Sequence, residues 1–430
     1  MARILVIGGS LGGLLAANML ARAGHEVTVL EKAVNSLDGR GAGIVTHRPL
    51  VAAMARCGIT FDTVSSAALG VAVERRVVLA RDGSIVEQTC MPQVLTSWSR
   101  LYSLLLAAFP PNRYLRGAAV SRLRQTSKGV VAECEDGRKF EADIAVASDG
   151  IRSLVRNDLA PDIRVDYAGY VAWRGVCDEA VLSKRTLDSV FDTFAFGLPS
   201  GEQLIGYPVA GAGNAITRGQ RRYNFVWYRP AADEGALQSL MTDADGQHYP
   251  QGLPPNKVAW HHVAAVRQAA RELLAPQFAE ILEKTAQPFL QPIYDCASER
   301  IAFDRIALMG DASFVARPHV GMGVTKAAED AMALTDCIAQ YGTNALGLLA
   351  YEALRLAPGR AVVERARLLG AYIQSSAGHA VSGDVVGPLA PYPRNARDVM
   401  MQTAVDLSEI PNPLSFSKTG DLHDPHQIVA

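Results

Sequence analysis

"RILVIGGSLGGLLAANMLARAGHEVTVLEK", residues 3–32, starts with a short apolar run rich in β-branched residues and passes through a glycine-rich turn. Apolar residues then recur at helical spacing until Gly24, and "EVTVLEK" reads as a second strand. The three pieces make a βαβ unit, so the strands must be parallel and the crossover right-handed. The turn "GGSLGG" puts Gly8 and Gly13 at the first and third positions of the dinucleotide frame and Ser10 at the second. A serine there adds one small side chain whose hydroxyl can donate to phosphate, and the helix N-terminus keeps its free N–H groups and positive dipole end. Glu31 closes the second strand, where a carboxylate accepts from ribose hydroxyls and disfavours a 2′-phosphate. The stretch therefore suits FAD or NAD better than NADP, without choosing between them.

Around this unit the chain runs to 430 residues, beyond the ~250–300 at which one core stops growing, so two packed units are expected. Apolar residues make up 49% and charged residues 20%, a globular balance. Basic and acidic residues number 42 and 43, so no global field attracts nucleic acid or an anionic bilayer. "TRGQRR" at 217–222 is the longest basic cluster and reads as a loop's solvated face. The six cysteines form no C-x-x-C pair and have no zinc-like companions, which points to reduced packing residues in a cytoplasmic protein. The N-terminal apolar stretch is broken by Gly8, Gly9, Gly12 and Gly13 and runs straight into a strand, unlike a signal peptide. No segment approaches the ~18 apolar residues of a membrane span.

Further along, residues 69–90 read as an antiparallel hairpin turning at Asp82-Gly83 and "SWSRLYSLLLAAF" as a helix. Short strands follow, ending in the buried strand "ADIAVASDG". From Arg164 to about Val226 the pattern is strand-like and aromatic, which makes a second sheet, and residues 258–287 are mostly helical. "RIALMGDAS" returns to the βα style, followed by a long helix from about Gly323 on which Ala327, Ala331, Leu334 and Ile338 share a face. The first unit is thus interrupted by the second. After about Gly378 the chain grows proline-rich, an extended arm with one helix near 395–407, packed on the body or on a partner subunit. A homodimer is the assembly such an arm would serve, and its removal after about residue 380 is expected to affect mainly assembly.

Two distant segments break the tie between cofactors. "IAVASDGIRSLVR" places Asp149, Gly150, Ser153 and Arg156 at a strand end, and "ALMGDASFVARPHVGMGVTKAAEDAMAL" places Gly310 and Asp311 likewise. With the opening turn, these resemble the three ordered fingerprints of the FAD-dependent aromatic hydroxylases, the group A flavoprotein monooxygenases of the para-hydroxybenzoate hydroxylase fold. "GGSLGG", "YAGYVAWRG" and "GDASFVARPHVGMGVTKAAEDA" are most similar to the 2,6-dihydroxypyridine 3-hydroxylase branch. The resemblance covers about residues 1–375. It implies an α/β fold in which a Rossmann-like FAD-binding domain (1–68, 92–163 and 296–378) is interrupted by a mixed β-sheet substrate domain (69–91 and 164–295), plus a C-terminal arm (379–430). It also implies an FAD-dependent monooxygenase that takes NADH or NADPH as co-substrate, forms a flavin hydroperoxide with O2, and hydroxylates an electron-rich phenolic or hydroxypyridine-like ring. The expected partners are therefore the small aromatic substrate, O2 and NAD(P)H, with neither nucleic acid nor membrane.

The implied FAD contacts are Gly8, Ser10, Leu11, Gly13, Glu31 and Lys32 at the opening turn, Arg100, Asp149 and Arg156 in the middle, and Gly310, Asp311, Pro318, Gly321, Met322, Gly323 and Val324 at the third fingerprint. Asp311, at a strand's carboxyl end, suits the ribityl chain, or equally a helix N-cap. Arg156 suits the phosphate region and NAD(P)H use, or equally a surface ion pair. The helix after "PHVGMG" turns its positive end toward the flavin's pyrimidine side. Three departures stand out: Trp98 replaces the family's FAD-contacting arginine, with Arg100 as substitute, Ser313-Phe314 replaces Ala-His, and Met322 replaces a glutamine.

Oxygen transfer requires a dry pocket, and Trp173, Tyr207, Phe225 and Trp227 are candidates for its apolar walls. A ring hydroxyl reacts better deprotonated, so a base is expected, with His319 the first candidate and Tyr207 the second. A Baeyer–Villiger or epoxidising enzyme of the same fold is the alternative chemistry, and a non-catalytic dinucleotide-binding protein the alternative class. A halogenase's W-x-W-x-I-P and a disulfide reductase's cysteine pair are both absent.

Overall fold

A computed structural model describes residues 1–37, 43–60, 69–231, 234–250, 252–375 and 395–406. The opening strand Arg3–Ile7 sits inside a six-stranded sheet in the order Ala302–Phe303, Ile306–Leu308, Ile144–Ala147, Arg3–Ile7, Glu26–Glu31, Tyr114–Arg116. Val6 pairs in parallel with Val29 on one side and Val146 on the other, as the βαβ reading requires. Because the central strands are covered on both faces, they are apolar throughout rather than alternating: Ile144–Ala147 is wholly buried. The helix Leu11–Arg22 packs against Trp98–Ala108 and against Gly323–Tyr341. Antiparallel strands Val120–Thr126, Gly129–Cys134 and Lys139–Ala142 form a separate three-stranded meander in the connection to Ile144.

The second unit is a mixed nine-stranded sheet in the order Phe314–Val315, Phe289–Ala297, Asp166–Asp178, Arg222–Pro230, Gln203–Val209, Thr193–Gly197, Val71–Leu79, Ile85–Ser97, Gly43–Val45. The expected hairpin is Val71–Leu79 with Ile85–Ser97, and its turn is fixed by Asp82, whose Oδ1 accepts from the backbone and hydroxyl of Ser84. Sheet membership departs from the expected boundaries in several places, including Phe314–Val315, which joins the edge of this larger sheet. Gly43–Val45 pairs with Thr96 and its neighbours, and Ile85–Ser97 runs well past residue 91.

Strand alternation sorts the aromatic residues and corrects one expectation. Trp173 lies directly opposite Trp227, and both pack with Phe225 and Leu204 beneath the helices Trp260–Leu273 and Pro276–Lys284. The other face carries Phe194, Phe196, Ile205, Tyr207 and Tyr228. Of the four aromatics expected to wall the pocket, only Tyr207 is on that second face.

The helix Ala345–Ser375 is not evident from periodicity: Pro358 lies inside it, where a missing N–H normally ends a helix. It is held by burial against several elements, for example through Tyr351, whose hydroxyl donates to the Leu308 carbonyl (3.0 Å). The expected late helix is Ala396–Gln402, capped by Asn395 Oδ1 accepting from Asp398 N–H (2.9 Å). The proline-rich remainder of the arm, with Pro388, Pro391, Pro393, Pro411, Pro413 and Pro425, lies outside the described residues. All six cysteines are free thiols, five of them buried. Among the described residues no helix is long and apolar enough to cross a membrane.

Candidate functional site

The opening turn is built for close backbone approach. Gly8 has φ +97°, and a Cβ on Gly13 would lie 1.9 Å from the Gly8 carbonyl oxygen. Gly9 N–H donates to Glu31 Oε2 (2.8 Å) and Ala33 N–H to Oε1 (2.7 Å), so the Glu31 carboxylate is fixed beside the turn with a further lone pair on each oxygen. The Tyr114 hydroxyl, which also meets that of Tyr102 (3.1 Å), donates to the Gly9 carbonyl (2.8 Å). Sequence reasoning missed Tyr114 because its strand is short and distant. Ser10 takes the N-cap position in an extended conformation but makes no side-chain cap bond, which leaves its hydroxyl for a ligand. Leu11 is buried, so only its backbone N–H is available, and Lys32 is exposed. Arg100 is half-buried on a helix where Trp98 stacks on Tyr102, ring centroids 4.9 Å apart.

The other two fingerprints meet at the carboxyl ends of neighbouring parallel strands. Asp311 is solvent-accessible, yet desolvation by the surrounding protein raises its carboxyl above the usual range. Gly310, beside it, is held from two sides: its N–H donates to Asp330 Oδ2 (3.0 Å), and its carbonyl accepts from the fully buried Lys326 ammonium (2.7 Å). Asp330 is in turn paired with Arg355 (2.8 Å). Arg156 is buried rather than a surface ion-pair residue. Its guanidinium ties Ile151 O (2.6 Å) to Ala312 O (3.2 Å), lashing the second fingerprint to the third. Two polar atoms here are buried without a partner, Asp149 Oδ1 and Arg156 Nε, and burial raises the Asp149 carboxyl.

This set fits FAD: carboxylates for ribose and ribityl hydroxyls, N–H groups at a helix N-terminus for pyrophosphate, and open backbone for the ring. At the ring end Gly321 has φ +68°, Gly323 is exposed with open space around it, and Pro318 and Val324 are half-buried. Met322 turns its side chain away into a cluster with Val320, Val362, Ala366 and Leu369, leaving only its backbone for the flavin.

His319 is not placed as a base. It has no exposed surface, and both ring nitrogens are engaged, Nδ1 with Gln203 Oε1 (2.6 Å) and Nε2 with the Tyr170 hydroxyl (2.9 Å). Gln203 Oε1 only accepts, so Nδ1 carries the hydrogen and Nε2 accepts. Burial lowers its pKa to about 3, so the ring stays neutral and ties the loop around Pro318–Gly321 to the sheet. Between the unfolded value of 6.5 and that folded value, only the unfolded chain binds the proton, so stability falls as pH drops through the window. Each pH unit costs about 1.4 kcal/mol. Between pH 6.5 and 5, wild type should therefore lose roughly 2 kcal/mol that His319→Gln does not, read from urea midpoints. Parallel acid limbs in the two proteins would refute the assignment.

Tyr207, the second candidate, lies on the sheet face away from the helices Trp260–Leu273 and Pro276–Lys284. It stacks on Phe194 (5.0 Å) and lies against Gly43, and burial pushes its hydroxyl up to about 12, so it stays a donor at neutral pH. Near it, Asn224 Oδ1 accepts from Gly43 N–H (3.0 Å) while its buried Nδ2 has no partner. A cavity of about 750 Å³ is lined in part by Thr46, His47, Val73, Gln93, Val405 and Asp406, of which Val73 belongs to the same apolar cluster as Tyr207. His47 joins it to the flavin end through Nδ1 and Thr325 Oγ1 (2.9 Å), on the first turn of the Gly323–Tyr341 helix. Nothing in the sequence marked His47, a lone histidine before an ordinary helix.

Comparison with known proteins agrees with this geometry. Residues 1–228 match the family described as FAD binding domain, and residues 167–295 one described as FAD binding domain-like. The chain is 32% identical over 372 residues to 2,6-dihydroxypyridine 3-monooxygenase of Paenarthrobacter nicotinovorans, covering 86% of this chain and 91% of that one. The solved 2,6-dihydroxypyridine-3-hydroxylase from Arthrobacter nicotinovorans superposes with a TM-score of 0.80 at 31% identity, over 89% of this chain and 95% of that one. HpxO of Klebsiella pneumoniae, solved with FAD and uric acid, shares the fold at a TM-score of 0.68 and 23% identity, over 88% and 93%.

Proposed function

The chain belongs to the FAD-dependent aromatic hydroxylases, and from that premise we propose that its substrate is a small hydroxylated N-heteroaromatic ring of the hydroxypyridine kind. It is an enzyme that uses FAD, NAD(P)H and O2 to place one oxygen on an electron-rich ring. The full-length similarity to a dihydroxypyridine monooxygenase carries the substrate reading. When bound, FAD supplies the redox chemistry, and the chain supplies placement and shielding.

In this reading Glu31 and Asp311 accept from the sugar and ribityl hydroxyls, and the N–H groups at Leu11–Gly13 receive pyrophosphate. The N-terminus of Gly323–Tyr341 favours negative charge at the ring's end. Phe194, Tyr207 and Tyr228, clustered with Val73 of the cavity lining, supply the dry side of the site, and Tyr207, protonated at neutral pH, is the donor we assign to a ring oxygen. His47, lining the cavity, is the acceptor in reach of a ring hydroxyl's proton and takes the role expected of His319. Residues 1–68, 92–163 and 296–378 act as the cofactor domain, apart from the stretches Gly43–Val45, 92–97 and Phe314–Val315 that join the larger sheet. We place the protein in the reducing cytoplasm, as its free thiols favour, and as a homodimer, for which the exposed Leu346, Leu349 and Leu354 offer apolar surface.

The test is the absorption spectrum of the purified protein, then NADH and NADPH oxidation and O2 uptake with dihydroxypyridines, hydroxynicotinates and phenols. Flavin bands and a pyridine product heavier by one oxygen are expected, and a lactone or epoxide would point to the alternative chemistries. Tyr207→Phe should raise KM for the preferred ring ~5- to 10-fold, the worth of one hydrogen bond, with FAD content unchanged. An unchanged KM would remove Tyr207 from the site.

A further inference from the structure

The helix Ala396–Gln402 and the residues after it are docked against this chain's own site rather than extended from it. Arg76, fully buried in the strand Val71–Leu79, donates to the carbonyls of Met400 (2.6 Å), Thr403 (2.7 Å) and Ala404 (3.0 Å) at the end of that helix. Its remaining donors go to Gln93, whose own amide returns to the Ala404 carbonyl. A buried guanidinium placed on three carbonyls is a built receptor for a helix C-terminus. The segment is also tied to the flavin-facing loop. Ala404 N–H donates to the His319 carbonyl (2.9 Å), and Thr403 Oγ1 accepts from Gln203, which holds the His319 ring. Val399, Met400 and Ala404 are packed in the same cluster as Tyr207 and Phe194. The chain is then led along the cavity wall, where Val405 and Asp406 both line the space.

Asp406 lines this cavity while only 4% exposed, whereas Arg48 and Glu74, which line the same cavity, are exposed. A carboxylate lining a cavity can accept a hydrogen bond from an N–H or O–H on a planar ring and, when ionised, cannot donate one. Resting on the aromatic-substrate reading above, we propose that residues 395–406 are a wall of the substrate chamber and that Asp406 is a specificity residue, accepting from the ring N–H or hydroxyl of the substrate. The expectation that the arm serves mainly assembly is thereby replaced for its described part, which completes the pocket of its own subunit.

The experiment uses FAD-loaded wild type and Asp406→Asn, with 2,6-dihydroxypyridine and the rings of the panel above as probes. Binding is read from perturbation of the visible flavin spectrum of the oxidised enzyme, beside KM, kcat and FAD content. Asp406→Asn should raise Kd and KM at least ~tenfold, the effect of losing a charge-assisted hydrogen bond, with kcat within about threefold and FAD content unchanged. Asp406→Glu should recover part of the loss. Equal binding by wild type and Asp406→Asn overturns the proposal while leaving the substrate reading intact. Wild type indifferent to every ring of the panel overturns both. Should Asp406→Asn lose its flavin, Val405→Trp probes the same wall without touching a charge. Retained FAD with ring binding abolished supports the proposal, and unchanged ring binding overturns it.

Discussion

Gly13→Ala should yield a protein that purifies colourless and stays so after dialysis against FAD. The added methyl would stand 1.9 Å from the Gly8 carbonyl oxygen, a backbone atom that cannot rotate aside. Gly8 is itself fixed: it has φ +97°, and its N–H donates to the Leu30 carbonyl (2.8 Å). Relief therefore requires moving the helix Leu11–Arg22 away from the strand Arg3–Ile7, which pulls the free N–H groups at the helix start off the pyrophosphate position. Overpacking of this kind costs ~3 kcal/mol, about a hundredfold in Kd if it falls wholly on the bound state. Flavin-to-protein absorbance ratios and quenching of FAD fluorescence on titration measure it. Gly24→Ala is the control. Gly24 has φ +90° but open space around it, so the variant should lose ~1–2 kcal/mol of stability and remain yellow. Equal flavin content in the two variants would show that the turn does not hold the cofactor as assigned.

That contrast also shows what the sequence can carry. The opening unit was legible because glycine spacing, an apolar strand and a terminal carboxylate are local features with one joint solution, and Glu31 is held beside the turn as its position implied. The three ordered fingerprints placed the cofactor edge for the same reason. What failed depended on long-range geometry. Trp173 and Trp227 were recognisable strand residues, but which face of a strand meets the flavin is set by register with neighbours more than fifty residues away. His319 sat in a correctly located loop, yet its role depends on Gln203 and Tyr170, which pin it from another sheet. Arg76 and Asp406 carried no local pattern at all, since an arginine in a strand and an aspartate in a proline-containing tail are ordinarily solvated. Only the packing of residues 395–406 against the sheet gives them partners and a cavity.

The largest loss of global stability is expected from Asp295→Ala. Asp295 lies buried on the strand Phe289–Ala297, and its two oxygens accept from Arg317 Nε (2.6 Å) and from Arg367 Nε (2.8 Å) and Nη2 (2.6 Å). The two arginines are not equivalent. Arg367 is partly exposed and can turn to water, whereas Arg317 is 9% exposed, held over the Tyr170 ring at 5.7 Å, and immediately precedes Pro318. Removing the carboxylate leaves that guanidinium buried without a counter-charge, which typically costs ~3–5 kcal/mol. Arg317 can escape only by displacing the loop that leads to His319 and Gly321, so FAD affinity should fall together with the urea midpoint. Asp143→Ala removes an exposed ion pair with Arg3 at 3.8 Å and the hydrogen bond that Asp143 Oδ2 accepts from the Arg3 backbone N–H (2.8 Å), and should cost only ~1 kcal/mol. The double variant Asp295→Leu/Arg317→Met separates the two causes of the loss. If the orphaned charge dominates, replacing both partners recovers most of the stability, because a buried pair exchanged for apolar side chains is close to neutral. If instead the double variant is as unstable as Asp295→Ala, the pair acts through geometry, as the strut that holds the flavin-facing loop against the substrate sheet.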